Sequence, residues 1–345
     1  MLSRAAVTSE EHSREARSSR RRVRSRRMAE LVGRVVRAEA KAYLVEIGDE
    51  RRPFVPRGKL FEDVPADVKN PVAVGDRVRV SLDGDPPGIE EVLPRTNWLP
   101  RIASSHDPRQ QILFANVDQL FVFASLAKPG FSSNRADRLL ASCRYYEIPA
   151  RLLLNKIDLD EDRQAQEIER TYVEAGIEVL SLCAADGRGV PEVAELLRGK
   201  VSVLYGGSGV GKSTLLNWIQ PGLALRIGKI SRYWDQGKHT TTFSQMHRLP
   251  ALDAWVIDTP GIRVFRLAGI NRAELRDCFP EFEPFARACR FGPTCSHDHE
   301  PGCAVFEAVE QGRLAPTRYA SYVEILDELA PPPEDDTPVP PPERG

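Results

Sequence analysis

Between residues 31 and 95, apolar and polar positions alternate in short runs separated by turn residues. Val32–Val36, Tyr43–Ile47, Arg52–Val55, Arg77–Leu82 and Ile89–Leu93 carry the strand pattern. Gly48-Asp49, Val74-Gly75-Asp76 and Gly84-Asp85-Pro86-Pro87 punctuate it. Short strands packed this closely predict a small barrel of the OB type. From Val117 to Pro260 the rhythm changes. Val117–Ala124 is a continuous apolar run that reads as a buried strand, and Asn134–Tyr146 sets Leu139, Leu140 and Cys143 at helical spacing. Arg151–Leu154, Ile177–Leu182, Val201–Tyr205 and Trp255–Ile257 are further strands, with helical segments between most of them. This alternation predicts an α/β fold: a mainly parallel sheet with helices on both faces. Residues 271–329 read as helical, interrupted by a cysteine-rich loop. The two ends lack any such pattern. Residues 1–28 are rich in arginine and residues 331–345 in proline and acid, so both predict disordered tails.

A length of 345 residues suggests two or three domains. The 48 basic and 49 acidic residues give a net charge of −1, which excludes a uniformly basic nucleic-acid coat but leaves room for local basic surfaces. Arg34, Arg37, Lys41, Arg51, Arg52, Arg57, Lys59, Arg77 and Arg79 fall in the barrel segment, either as a solvated face or as an RNA-binding one. The tail holds further arginines. It is a solvated arm, an arm attracted to RNA phosphates, or a transit peptide, the last disfavoured by Glu10, Glu11 and Glu15. The best apolar stretch, Leu120–Leu126, is far too short to cross a bilayer. In a cytosolic chain the 6 cysteines read as thiols or metal ligands rather than as a disulfide framework.

Gly206-Gly207-Ser208-Gly209-Val210-Gly211-Lys212-Ser213 matches G-x-x-x-x-G-K-[ST] in full, after the strand Val201–Tyr205 and before the helix Thr214–Ile219. The glycines let backbone amides wrap around phosphates, Lys212 supplies a charge to the β and γ phosphates, and Ser213 offers a hydroxyl to Mg²⁺. Asn155-Lys156-Ile157-Asp158 follows the strand Arg151–Leu154. An aspartate carboxylate only accepts hydrogen bonds, so it suits the N1–H and 2-amino donors that guanine has and adenine lacks. Asp258-Thr259-Pro260-Gly261 follows the strand Ala254–Ile257, where Asp258 can hold Mg²⁺ through water and the Gly261 amide can meet the γ-phosphate, against the plainer reading of a capped turn. Gly237-Lys238-His239-Thr240-Thr241-Thr242 lies between. It reads as a polar loop or as a loop closing over Mg²⁺; spacing does not choose among its threonines, and Thr241 is favoured.

N-K-x-D precedes the P-loop here, whereas ordinary GTPases place it last, so the order predicts a circular permutation. Ile262 stands where Ras-like enzymes have the glutamine that orients the attacking water. His239 is the nearest substitute, against the plainer reading of a loop histidine. Cys289, Cys295, His297 and Cys303 have the spacing C-x₅-C-x-H-x₅-C, a closed donor set for one structural Zn²⁺, with His299 as a competing ligand. Cys143, Cys183 and Cys278 read as small buried residues.

Together with Phe279-Pro280-Glu281-Phe282 ahead of the cysteines, these motifs resemble the ribosome small-subunit-dependent GTPases, the RsgA family, over roughly residues 30 to 325. The resemblance implies an OB-fold RNA-binding domain (29–100), a circularly permuted GTPase domain (101–270) and a zinc-binding domain (271–330), between the disordered tails 1–28 and 331–345 that composition predicts; the long Arg-rich tail is not a general feature of the family. It implies GTP, GDP and Mg²⁺ held by Asn155, Lys156, Asp158, Gly206 through Thr214, Asp258 and Gly261. It also implies catalysis by His239 with Lys212 and Thr241, and zinc on Cys289, Cys295, His297 and Cys303. It further implies a cytoplasmic monomer that binds the small ribosomal subunit and its RNA, hydrolyses GTP there late in subunit maturation, and leaves. Cys183-Ala184 departs from the Ser-Ser or Ser-Ala common in the family. Two other classes compete: a GTP-gated RNA-binding placeholder with incidental hydrolysis, and an unrelated P-loop GTPase or ATPase with another RNA partner.

Overall fold

The structure, a computed structural model, describes residues 31–39, 42–62, 64–104, 106–221, 244–259, 265–298 and 300–329. Both expected tails lie outside these residues. The first strands are β1 (Leu31–Ala38), β2 (Tyr43–Ile47), β3 (Glu50–Pro56), β4 (Arg77–Ser81) and β5 (Gly88–Val92), with the short helix α1 (Lys59–Glu62) between β3 and β4. β1 pairs with both β2 and β4, β2 with β3, and β5 joins β3 to β4, so the sheet closes on itself as an OB-type barrel. The inward positions of the alternating pattern, Val35, Val45, Phe54, Val78, Val80 and Ile89, fill its centre with Leu60 and Val72. Buried Asp76 anchors the barrel exit: Arg95 Nε and Nη2 each donate to its carboxylate at 2.7 Å, and the Ala73 amide donates at 2.8 Å.

A ribbon of β6 (Trp98–Ser104) and β7 (Asp107–Ala115) then leads out of the barrel. The sequence pattern did not reveal it, because register shifts at Leu99/Pro100 and Ile102/Ser104 break the alternation. At Gly75 (φ +92°) the chain crosses this ribbon so closely that a Cβ would sit 2.0 Å from the Ala115 carbonyl oxygen.

The second sheet has the order β10-β9-β8-β11-β13-β12, built from β8 (Gln119–Ser125), β9 (Ala150–Asn155), β10 (Val179–Leu182), β11 (Val201–Tyr205), β12 (Gln245–Leu249) and β13 (Ala254–Thr259). All pairings are parallel except β12–β13. Helices α2 (Ser133–Tyr145), α3 (Gln164–Glu174), α4 (Val190–Leu197) and α5 (Lys212–Ile219) connect the strands. One face packs Phe121, Phe123, Leu153 and Leu204 under α4 and α5, against Leu215 of α5; the other packs Leu120, Val122, Leu152 and Val203 under α2 and α3. β12 also pairs with barrel strand β1 through Arg37 and Gln245, so barrel and second sheet form one continuous hydrogen-bonded surface.

Residues 265–329 cover the α2 side. The expected helical character holds only for their second half, in α7 (Ala304–Glu310) and α8 (Pro316–Glu328). The first half is made of 3-10 turns at Leu275–Cys278, Pro280–Phe282 and Gly292–Thr294 and the single-turn α6 (Glu283–Ala286). Prolines 280, 284 and 293 interrupt the backbone ladder there. Phe279, Phe282, Tyr322 and Ile325 extend the core from α2 into this segment.

At that seam Arg318 is 3 % exposed and donates to Asp137 Oδ1 of α2 (2.5 Å) and Glu281 Oε1 (2.7 Å), while the Tyr172 hydroxyl of α3 donates to the same Asp137 oxygen (2.7 Å). Burial works against the guanidinium charge, yet Asp137 and Glu281 outweigh it and raise its pKa. Burial pushes the Asp137 carboxyl up, and Arg318 counters it. Removing one member strands its buried partners. Arg318→Ala is therefore expected to cost about 3–5 kcal/mol in denaturant unfolding. A loss below about 1 kcal/mol, the scale of an exposed pair, would refute the role of this seam.

Candidate active site and metal centre

The C-terminal ends of β9, β10, β11 and β13 converge on one edge of the second sheet, where a parallel α/β fold gathers ligand-binding loops. The register Leu204↔Asp258 and Tyr205↔Thr259 places the D-T pair beside the entry to the P-loop. Lys212 and Ser213 form the first turn of α5, two residues earlier than the sequence pattern placed the helix start. Gly206 is required because a Cβ there would meet the Phe123 carbonyl oxygen at 2.3 Å. Gly211 has φ +111°, and its Cβ would lie 2.1 Å from Asn155 Nδ2.

Lys212 Nζ donates to the carbonyls of Gly206 (2.6 Å) and Gly207 (3.2 Å), folded back on the loop it serves. Burial lowers its pKa, and nearby Asp258 opposes the change. Burial lifts the Asp258 carboxyl to about 6, with Lys212 pulling the other way. Asp258 Oδ1 is buried without a hydrogen-bond partner among the described residues. A desolvated cation and an under-satisfied carboxylate beside a ring of loop amides form a polarised site for phosphate and a hard cation.

Asn155 ties three loops together. Its Nδ2 donates to the Val210 carbonyl in the P-loop (2.7 Å), and its Oδ1 accepts from the Ala184 amide after β10 (2.9 Å). Lys156, in the left-handed region (φ 64°), donates to the carbonyls of Ala127 (2.9 Å) and Lys128 (2.5 Å) and so holds the loop after β8. Asp158 receives a hydrogen bond from the Cys183 thiol at 3.0 Å. Burial first, and then this bond, raises the Cys183 pKa, so the group donates as a neutral thiol. Cys183 is thus more than the small buried residue the sequence suggested: it is the partner of the carboxylate expected to read guanine. Trp218 Nε1 donates to the Ala184 carbonyl (2.8 Å) and fixes α5 to the same loop. Neither contact leaves a local sequence signal, since each depends on parallel strand ends meeting. His239, Thr240–Thr242, Gly261 and Ile262 lie outside the described residues.

The sulfur and nitrogen donors of Cys289, Cys295, His297 and Cys303 lie within 4.8 Å of one another, and all four residues are buried. His297 Nδ1 is 3.6 Å from both the Cys289 and Cys303 sulfurs. Tetrahedral zinc, with bonds of about 2.3 Å to sulfur and about 2.0–2.1 Å to nitrogen, separates the two donor types by about 3.6 Å. The donor set therefore fits zinc through Nδ1. His297 adopts φ 61°, and its carbonyl accepts from the Tyr319 hydroxyl at 2.8 Å. Tyr322 binds the Ser296 carbonyl at 2.6 Å, so α8 clamps the ligand loop twice. The residues between Cys289 and Cys295 form the 3-10 turn Gly292–Thr294. The competing ligand His299 lies outside the described residues.

With this geometry in place, comparison with known proteins is decisive. The RsgA GTPase family model matches residues 92–268. The chain belongs to that family. It is 41% identical over 314 residues to the small ribosomal subunit biogenesis GTPase RsgA of Chlorobaculum tepidum, covering 87% of this chain and 98% of that one. The crystal structure of YjeQ from Thermotoga maritima is similar at 34% identity and a TM-score of 0.65, covering 87% of this chain and 98% of that one. YloQ, described as a circularly permuted GTPase, is similar at 27% identity and a TM-score of 0.60, covering 88% and 96%. GTP hydrolysis is accordingly this chain's activity, in a circularly permuted domain with N-K-x-D ahead of the P-loop. RsgA membership brings GTP, GDP and Mg²⁺ as ligands, and the Cys₃His cluster is compatible with zinc.

Proposed function

We propose that this RsgA-family GTPase works on the small ribosomal subunit, hydrolysing GTP when bound there during late maturation and then leaving. The convergence of Asn155, Asp158, Lys212 and Asp258 at one sheet edge carries the reading. The name of the Chlorobaculum relative supports the subunit as partner. In this reading residues 29–100 form the RNA-binding domain, 101–270 the GTPase domain and 271–330 the zinc-binding domain, in a cytoplasmic monomer. Among the described residues no helix is long and apolar enough to cross a membrane.

Asp158 accepts from the guanine base, and Asn155 holds the base-reading and phosphate loops at a fixed separation. The amides of Gly206 through Thr214 enclose the β and γ phosphates, and Lys212 exchanges the Gly206 and Gly207 carbonyls for phosphate oxygen. Ser213 and Asp258 hold Mg²⁺ together with a threonine of the Thr240–Thr242 run, Thr241 favoured; the ion supplies charge neutralisation on the phosphates. Gly261 donates to the γ-phosphate. His239 orients a water whose oxygen attacks the γ-phosphorus as the bond to the β–γ bridging oxygen breaks, giving GDP and phosphate. With Ile262 in the usual glutamine place, unassisted turnover is slow.

Steady-state GTP hydrolysis titrated with purified small subunits tests this. Turnover is expected to rise by orders of magnitude, and His239→Ala to abolish most of the rise while sparing GTP affinity. A rate indifferent to subunits would favour the GTP-gated placeholder, and full turnover by His239→Ala would move the water-orienting role elsewhere.

A further inference from the structure

Most barrel cations are already engaged by acids. Arg51 binds Glu46 (2.7 Å), Arg52 binds Glu50 (2.5 Å), Arg37 binds Glu39 (3.3 Å), Arg57 reaches Glu90 (3.5 Å), and Arg79 pairs with Glu91. The count of arginines therefore overstates the positive surface this domain offers. Arg34 and Arg77 are different. They are direct cross-strand partners on β1 and β4, so two guanidiniums project from the same face of one antiparallel pair. Like charges placed directly opposite destabilise a sheet. Arg34 is half-buried, Arg77 is exposed, and among the described residues neither has a hydrogen-bonded or ion-paired acceptor. Glu46 lies opposite Arg34 on β2, but its carboxylate is held by Arg51. Asp118 also acts on Arg34 electrostatically, with no hydrogen bond or ion pair between them among the described residues. Burial and then Arg77 lower the Arg34 pKa, with Glu46 and Asp118 opposing them.

We infer that Arg34 and Arg77 form a two-arginine seat for a backbone phosphate of RNA. The inference rests on the ribosomal reading above and narrows it to a specific pair. Planar guanidiniums a cross-strand distance apart can grip one phosphodiester from two sides, and its charge removes their mutual repulsion. The seat also has a place in the fold: β1 is the barrel strand that pairs with β12 of the GTPase sheet. A phosphate held there lies on the hydrogen-bonded surface that continues to β13 and Asp258.

The test titrates the full-length protein with deproteinised RNA from small subunits over a range of salt concentrations. Arg34→Gln and Arg77→Gln are each expected to weaken binding and to flatten the log–log salt dependence by about one unit. Arg34→Lys and Arg77→Lys keep the charge but not the planar fork, so they should retain the salt dependence while losing part of the affinity. Arg52→Gln and Arg57→Gln, whose parent residues already have carboxylate partners, should change neither quantity. Arg77→Gln should also raise the melting temperature of the free protein, because Arg34 loses its like-charged neighbour; weaker binding then cannot be attributed to misfolding. Unchanged affinity and slope in both glutamine variants, against a wild type that binds, overturns the seat and leaves the ribosomal reading standing. A wild type that does not bind the RNA overturns RNA as the partner of this face, while stimulation by intact subunits remains a separate measurement. Variants that bind bare RNA normally but lose stimulation by intact subunits would assign the pair to an acidic protein surface, and so overturn it too.

Discussion

Asp158→Asn is expected to turn a guanine-selective protein into a xanthine-selective one. Guanine presents two adjacent donors, and a carboxylate accepts both. Xanthine replaces the 2-amino donor with a carbonyl, which a carboxylate repels and an amide nitrogen satisfies. The Cys183 thiol, 3.0 Å from Asp158 Oδ1, adds direction. In the variant this donor favours the amide oxygen at its own corner and leaves the amide NH₂ at the other, free to donate to the base. A site built around hydrogen-bonding groups rejects a ligand that cannot satisfy them by on the order of 10⁴-fold. GTP affinity is therefore expected to fall by up to that order while XTP affinity rises, read by competition with a fluorescent nucleotide. Unchanged guanine preference would place base recognition outside the N-K-x-D loop. Asn155 and Asp158 do different work, so Asn155→Ala should weaken all nucleotides alike by loosening the joint to Val210 and Ala184.

Removing zinc is expected to unfold the C-terminal segment. Structural zinc sites contribute about 10–16 kcal/mol in small domains, comparable to or above the whole stability of a typical domain. Without a cation, Cys289, Cys295 and Cys303 remain a buried cluster of thiols around an imidazole, and burial pushes the Cys295 and Cys303 thiols up. The ligand loop is then held mainly by Tyr319 and Tyr322 of α8. Chelation, or Cys303→Ser, should expose residues 271–329 to limited proteolysis and reduce binding to small subunits. GTP binding should persist, because Asn155 and Lys212 are held by Val210, Ala184, Gly206 and Gly207, and Asp258 by its strand register with Leu204, none of which belongs to this loop. Metal analysis of the purified protein checks the premise; one zinc per chain is expected, and its absence would sink the claim.

Both predictions rest on residues close together in sequence, which is why they were readable beforehand. The G-x-x-x-x-G-K-S loop spans Gly206–Ser213, the N-K-x-D turn Asn155–Asp158 and the Cys₃His set Cys289–Cys303. Each needs its chemical groups on one continuous piece of backbone, so spacing alone carries the chemistry. The barrel was legible for a related reason. Period-two alternation survives in β1 to β5 because one face of each strand is buried around Phe54 and Ile89. Register shifts hide the ribbon β6–β7, and where 271–329 reads as helix, Pro280 helps hold Leu275–Phe282 in 3-10 turns.

The sequence by itself determined where the candidate chemistry lies: a G-x-x-x-x-G-K-S loop, an N-K-x-D aspartate encoded ahead of it, and a cluster of three cysteines and a histidine. Tertiary structure alone decided the partnerships between distant segments. Cys183 meets Asp158, Arg318 meets Asp137 and Glu281, and Arg34 faces Arg77 across a strand pair. Each of these depends on which strand lies beside which and in what register. Register follows from the burial of many apolar side chains at once, and no local spacing records it.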